Sequence, residues 1–147
     1  MARKSQATYV DTSVWCAYCF NEQGSERAVD WLGEADLSTV GTSWWTQVEF
    51  ASALAIQMRK KALSRRQADA ARDRFAEVLD MVTRLNVQEQ DYLEAAVYCA
   101  QTDHGLRGGD ALHLAIAQRH GCTLLATLDT QMQANAKRLG LKLIELK

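Results

Sequence analysis

Four acidic residues have the types and settings to do chemistry: Asp11, Glu49, Asp110 and Asp129. Taken singly, the three aspartates have an ordinary explanation, because Asp is among the commonest residues at a helix N-cap. Glu49 does not. It falls inside a helical stretch, on the flank that carries Trp45, Ala53 and Ile56, where a part-desolvated carboxylate costs free energy unless a cation or an arginine partners it. Jointly, the four make a carboxylate-only set with hydroxyl neighbours and no histidine–cysteine cluster. That is the ligand chemistry of hard cations such as Mg²⁺ or Mn²⁺. Two such ions about 3.5–4 Å apart can stabilise both the attacking and the leaving oxygen of a phosphodiester.

Bringing these acids together requires particular elements. Thr8-Tyr9-Val10 suits a half-buried strand. Asp11 closes it, and Thr12 and Ser13 then lead into an apolar helical turn with Trp15, Cys16, Cys19 and Phe20. Asp11 is thus expected at the carboxyl end of a first strand, the edge at which open α/β sheets bind ligands. A helix is expected over Ser25–Glu34, and a short strand over Asp36–Thr42. Ser43 then caps a long helix to about Lys61, with Trp44, Val48, Ala51, Ala55 and Met58 inward. Ser64 caps the next helix, whose Ala68, Ala71, Phe75, Val78, Val82 and Leu85 form one stripe. A brief strand over Leu85–Val87 and a helix from Gln88 to about Asp103 follow, the latter with Leu93, Ala96, Val97 and Ala100 inward. A helix over Asp110–His120 is apolar nearly all round and ends at Gly121. The chain closes with a strand over Cys122–Thr127, a helix over Thr130–Leu139 and a strand over Leu141–Leu146. Strands alternating with helices imply a parallel sheet covered on both faces, with Asp11 and Asp129 at the same edge.

Composition narrows the function classes. The 147 residues suit one domain, 1–147, with its own core. The longest apolar runs fall short of the roughly 18 residues of a membrane helix. Arg3 and Lys4 have no apolar segment behind them, unlike a signal peptide; the expectation is a cytoplasmic protein. A net charge of −1 argues against a general polyanion binder. The charge is uneven, however: Arg59, Lys60, Lys61, Arg65, Arg66, Arg72 and Arg74 crowd one stretch. Alone, this run reads as a solvated helical hairpin. Beside an acidic metal site it can hold a phosphate backbone, with Arg59, Lys60, Arg65 and Arg66 as the contact candidates. Cys16 and Cys19 form a C-x-x-C, but no second pair with zinc-finger spacing exists, so core packing is the reading. His113, three residues after Asp110 on the same helical face, reads as a hydrogen-bonded core residue.

Four segments resemble those of the PIN-domain nucleases, and within them the VapC-type toxins of bacterial toxin–antitoxin pairs. They are Tyr9-Val10-Asp11-Thr12-Ser13, Glu49 near the start of the long helix, the run from Leu106-Arg107-Gly108-Gly109-Asp110 to Ala115, and Leu124 to Asp129. The resemblance spans nearly the whole chain. It implies a three-layer α/β/α sandwich with a parallel sheet and the first strand central. It also implies a Mg²⁺- or Mn²⁺-dependent ribonuclease in which Asp11, Glu49, Asp110 and Asp129 hold the metal, supported by the hydroxyls of Ser13 and Thr127. A small antitoxin, an RNA substrate and a homodimer are the partners so implied, with no membrane. Two positions depart from the family pattern. Gly108-Gly109 replaces bulkier residues, and Lys61 stands where glycine often separates the two long helices.

Other enzyme classes fit less well. A haloacid-dehalogenase-type phosphatase needs a second aspartate where this chain has Ser13. An aspartic protease needs glycine there. Neither a G-x-S-x-G nor a P-loop occurs. The rival of another class is a non-catalytic RNA- or protein-binding module whose acids are only caps, an account that leaves Glu49 without a role.

Overall fold

A computed structural model describes residues 7–147; Arg3 and Lys4 lie outside the described residues. Five parallel strands form one sheet in the order β3-β2-β1-β4-β5. They are β1 (Thr8–Val10), β2 (Val40–Ser43), β3 (Thr83–Leu85), β4 (Leu124–Ala126) and β5 (Lys142–Leu143). Among the described residues seven α-helices cover the sheet: α1 (Thr12–Phe20), α2 (Ser25–Glu34), α3 (Trp44–Arg59), α4 (Arg65–Leu79), α5 (Glu89–Ala100), α6 (Gly108–Arg119) and α7 (Thr130–Arg138). β1 is central, as the resemblance implies.

The period of two along a strand sorts the core into two layers. Val10 and Ala126 join the cluster built from α1–α4, whereas Tyr9 and Leu125 join the cluster built from α5–α7. The first layer is aromatic. Phe50 stacks on Phe75 with centroids 3.9 Å apart, and Trp15 and Phe20 pack at their edges. Cys16 and Cys19 are buried free thiols of this layer, and burial pushes the Cys19 thiol up to about 12.

Several elements differ from the sequence expectation. Leu37–Thr39 forms a 3-10 turn before β2, rather than strand. α4 ends at Leu79, before Val82 and Leu85, although its Ser64–Gln67 capping box is as the pattern requires. β3 lies two residues earlier than expected, because Thr83, Arg84 and Leu85 are the ones in register with Gly41, Thr42 and Ser43. The last strand shrinks to two residues. α3 and α5 present different faces from those their apolar residues suggest. α3 buries Thr46, Phe50 and Leu54, and leaves Val48 58% exposed beside an exposed Trp44. α5 buries Asp91, Ala95 and Tyr98, and leaves Leu93 63% exposed beside Val97. The Asp91 carboxylate is matched by Arg119, which donates to it through Nε at 2.7 Å and Nη2 at 2.9 Å. No helix among the described residues is long and apolar enough to cross a membrane.

Candidate active site

The carboxyl edge of the two central strands organises the site. β1 ends into Asp11, which occupies the N-cap of α1. β4 runs through Thr127 and Leu128 to Asp129, the N-cap of α7. Two hydroxyls stitch these loops together. Ser13 Oγ donates to Asp11 Oδ1 at 2.6 Å and accepts from the Leu128 N–H at 2.9 Å. Thr127 Oγ1 donates to Asp11 Oδ2 and accepts from the Asp129 N–H at 3.1 Å. Asp11 is 3% exposed. Burial pushes its carboxyl up, opposed by His113 and by the hydrogen bonds of Ser13, Thr127 and the Val14 N–H.

Glu49 reaches the edge from the second turn of α3. Its Oε1 accepts from Thr12 Oγ1 at 2.7 Å and meets Nε2 of His113. Burial raises its carboxyl, but the His113 contact and the Thr12 hydroxyl outweigh burial and hold it below the usual value. His113, on α6, is buried as expected. Its Nδ1 faces the Tyr9 hydroxyl at 2.5 Å, and that hydroxyl lies 2.8 Å from Ser43 Oγ. Ser43 stands at the N-cap of α3, yet its side chain makes no capping bond. Spacing alone showed His113 as a helix neighbour of Asp110. Its bond to Glu49, sixty-four positions away, has no local signature.

Asp110 is not a cap. α6 starts at Gly108 with Arg107 at its N-cap, so Asp110 is the third helical residue, with its carboxyl at the mouth of the site. That carboxyl is pushed up to about 6, first by burial and next by the charge of Asp129; Asp11 and Glu49 add to the rise and His113 opposes it. All four predicted acids are therefore electrostatically joined through Asp110. They do not yet close on one point. Among the described residues, no three Asp, Glu, His or Cys side chains are grouped as a metal ion would hold them. Oxygens of Asp11, Glu49 and Asp129 accept from protein donors, the Asp129 bond coming from the Met132 N–H at 2.9 Å. The donor set is nonetheless all oxygen, and its mutual repulsion at a half-buried carboxyl is what a hard cation relieves.

A residue outside the predicted set joins it. Arg107 lines the same open depression as Asp110, Asp129 and Thr130; the only signal in the sequence is its place three residues before Asp110. The basic candidates Arg59, Lys60, Arg65 and Arg66 are exposed at the α3–α4 turn. Arg59 is ten residues beyond Glu49 on α3, about 15 Å along the helix.

A model of the PIN domain matches residues 8–138. Among solved structures, the chain is similar to Mycobacterium tuberculosis VapC20, a sarcin–ricin loop cleaving toxin, at 20% identity over 88% of this chain and 95% of that one, with a TM-score of 0.71. It is similar to FitAcB from Neisseria gonorrhoeae at 21% identity over 94% and 96% of the two chains, with a TM-score of 0.70. It is also similar to a toxin–antitoxin complex from Klebsiella pneumoniae at 19% identity over 96% and 98%, with a TM-score of 0.60. At these identities the likeness is one of fold. No curated protein matches the chain.

Proposed function

We propose that this chain, which belongs to the PIN-domain family, is a divalent-metal-dependent endoribonuclease and the toxin of a type II toxin–antitoxin pair. The observation that carries the reading is the geometry of one sheet edge: Asp110 and Asp129 line one depression, Ser13 and Thr127 tie Asp11 to the Asp129 loop, and Glu49 bonds to Thr12 next to Asp11; the raised Asp110 carboxyl accords with it. Helix capping accounts for Asp11 and Asp129. It accounts for neither Glu49, inside α3, nor Asp110, inside α6, so a capping-only binding module leaves two acids unexplained.

In this reading the four carboxylates hold Mg²⁺ or Mn²⁺, which supplies Lewis-acid polarisation of a phosphate and an activated water. The chain's own residues do the rest. Ser13 and Thr127 fix the Asp11 carboxylate, while Thr12 and His113 fix Glu49. Arg107, at the lip of the depression, is suited to a phosphate oxygen by its planar fork of donors. The exposed Arg59, Lys60, Arg65 and Arg66 hold the RNA backbone farther along the strand. The outward apolar faces of α3 and α5, with Trp44, Val48 and Ile56 on one and Tyr92, Leu93 and Val97 on the other, support a homodimer and a small antitoxin partner. Exposed apolar patches mark such surfaces, and a toxin–antitoxin complex is among the fold neighbours. A single domain and a cytoplasmic site of action complete the proposal.

The direct test is RNA cleavage by the purified chain with Mg²⁺ or Mn²⁺, with EDTA, and after Asp11→Asn. Cleavage should stop in EDTA. It should fall at least about 10²-fold in the variant, since outer-shell changes alone weaken metal sites about 10–100-fold. Undiminished cleavage in EDTA would refute the metal dependence.

A further inference from the structure

Glycine is the poorest helix former after proline, yet α6 opens on two. Neither Gly108 nor Gly109 has the positive φ that would demand glycine. At Gly108 an added Cβ would meet nothing within 4 Å. At Gly109 it would meet Glu49 Oε2 at 2.8 Å and the Trp45 ring at 3.6 Å. The first approach is closer than real Cβ atoms make, and Trp45 Nε1 donates to the Gly109 carbonyl at 3.3 Å from the same side. The space left by the missing side chain is filled by one oxygen of Glu49.

The other oxygen has its own two partners. Thr12 Oγ1 donates to Oε1, and His113 Nε2 touches it. An ionised carboxylate only accepts, so Nε2 carries the hydrogen.

We propose that Gly109 is a positioning residue for Glu49: its absent side chain is the seat of Oε2 while Thr12 and His113 hold Oε1, so that Glu49 offers Oε2 to a divalent cation. This rests on the reading of Glu49 as a metal ligand. A methyl at Gly109 meets the free end of a flexible side chain, so the carboxylate moves and the helix stays. The consequence is a defect of the site without a defect of the fold, confined to one of two adjacent glycines.

The experiment is Mn²⁺ titration by calorimetry, with thermal melts of the metal-free protein, on wild type, Gly108→Ala, Gly109→Ala, Glu49→Asp and the Glu49→Asp/Gly109→Ala pair. Gly109→Ala should weaken Mn²⁺ binding about tenfold or more, the range of outer-shell effects. Gly108→Ala should stay within about twofold, well short of that range. Metal-free midpoints should not fall in either glycine variant. In the Glu49→Asp background, where the carboxylate is one methylene shorter and clear of the new methyl, Gly109→Ala should cost no further affinity. Equal binding by the two glycine variants, with wild type binding normally, overturns the seat. So does a Gly109→Ala penalty that is the same in the wild-type and Glu49→Asp backgrounds. Wild type that binds no Mn²⁺ overturns instead the metal reading on which the seat depends.

Discussion

Replacing Asp110 by Asn should stabilise the metal-free protein at pH 8 and have little effect near pH 4. Burial, then Asp129, Asp11 and Glu49, lift the Asp110 carboxyl from its usual 3.8 to about 6. A folded value above the unfolded one means that the folded chain binds this proton more tightly. Stability therefore falls as pH rises between the two values and stays depressed above about 6. At about 1.4 kcal/mol per pH unit the displacement corresponds to at most about 3 kcal/mol. The carboxyl is part-solvated, and screening cuts this to about 1–1.5 kcal/mol. A negative charge in the first turn of α6 also interacts favourably with the helix dipole, by roughly 0.3–1 kcal/mol, which Asn forfeits. The net gain is about 0–1.2 kcal/mol, with a central value of about 0.6 kcal/mol, or a midpoint about 2 °C higher. No cap is removed, because Arg107 holds that position. The gap should shrink to about half near pH 5 and largely close by pH 4. Mg²⁺ should reverse the order. A ligand at 100 times its dissociation constant stabilises wild type by about 2.7 kcal/mol, and the variant, short of one ligand, should gain much less. Melts of both proteins at pH 8, 5 and 4, with and without Mg²⁺, decide the matter. Equal midpoints at pH 8 together with equal Mg²⁺ shifts would refute both the repulsion and the metal role of Asp110.

Three further outcomes are expected. Neutralising Arg59 and Lys60 should flatten the salt dependence of RNA binding by roughly 0.7 log units for each phosphate that is no longer neutralised, as read from binding isotherms at several salt concentrations; an unchanged slope returns the α3–α4 turn to a solvated surface. Lys61→Gly should raise the thermal midpoint, because Lys61 sits at φ 58°, where a side chain costs about 1–2 kcal/mol, partly offset by glycine's greater chain entropy. Arg119→Met should lower stability by about 1–3 kcal/mol in denaturant unfolding, since it leaves the Asp91 carboxylate, 1% exposed, with the Gln88 N–H alone and no cation.

Local grammar made the ends of the central strands legible. A β-prone Thr8-Tyr9-Val10 followed by an acid and two hydroxyls permits little else than a strand feeding a helix cap, and the same holds for the run into Asp129. Ser64 with Gln67 three residues later marked the start of α4. Gly121 and Gly140, both at positive φ, marked the ends of α6 and α7. The lysine standing in for glycine at position 61 was visible as a departure, and its left-handed backbone is the physical reason glycine suits that turn. The pairing of Gly109 with Glu49 lay outside local grammar. It joins residues sixty positions apart and exists only once α3 and α6 meet beside Asp11.

The inward faces of α3 and α5 are hidden from the sequence pattern for a different reason. Periodicity finds an apolar stripe, and it cannot tell which of two stripes the core takes. On α3 the larger stripe, Trp44 and Val48, faces outward, while the core takes Thr46, Phe50 and Leu54. The aromatic stack of Phe50 on Phe75 decides the orientation, and that stack depends on α4. On α5 the core takes Asp91, whose burial is tolerable only because Arg119 reaches it from the end of α6; a charged residue on the buried face hides that face from any hydrophobic pattern. What remains outside on both helices is apolar surface that the chain's own core does not use. A sequence that keeps Trp44, Val48, Leu93 and Val97 in contact with water carries a solubility cost, and burial against a second protein removes it. These outward stripes are thus the residues through which the proposed dimer and antitoxin contacts should be sought.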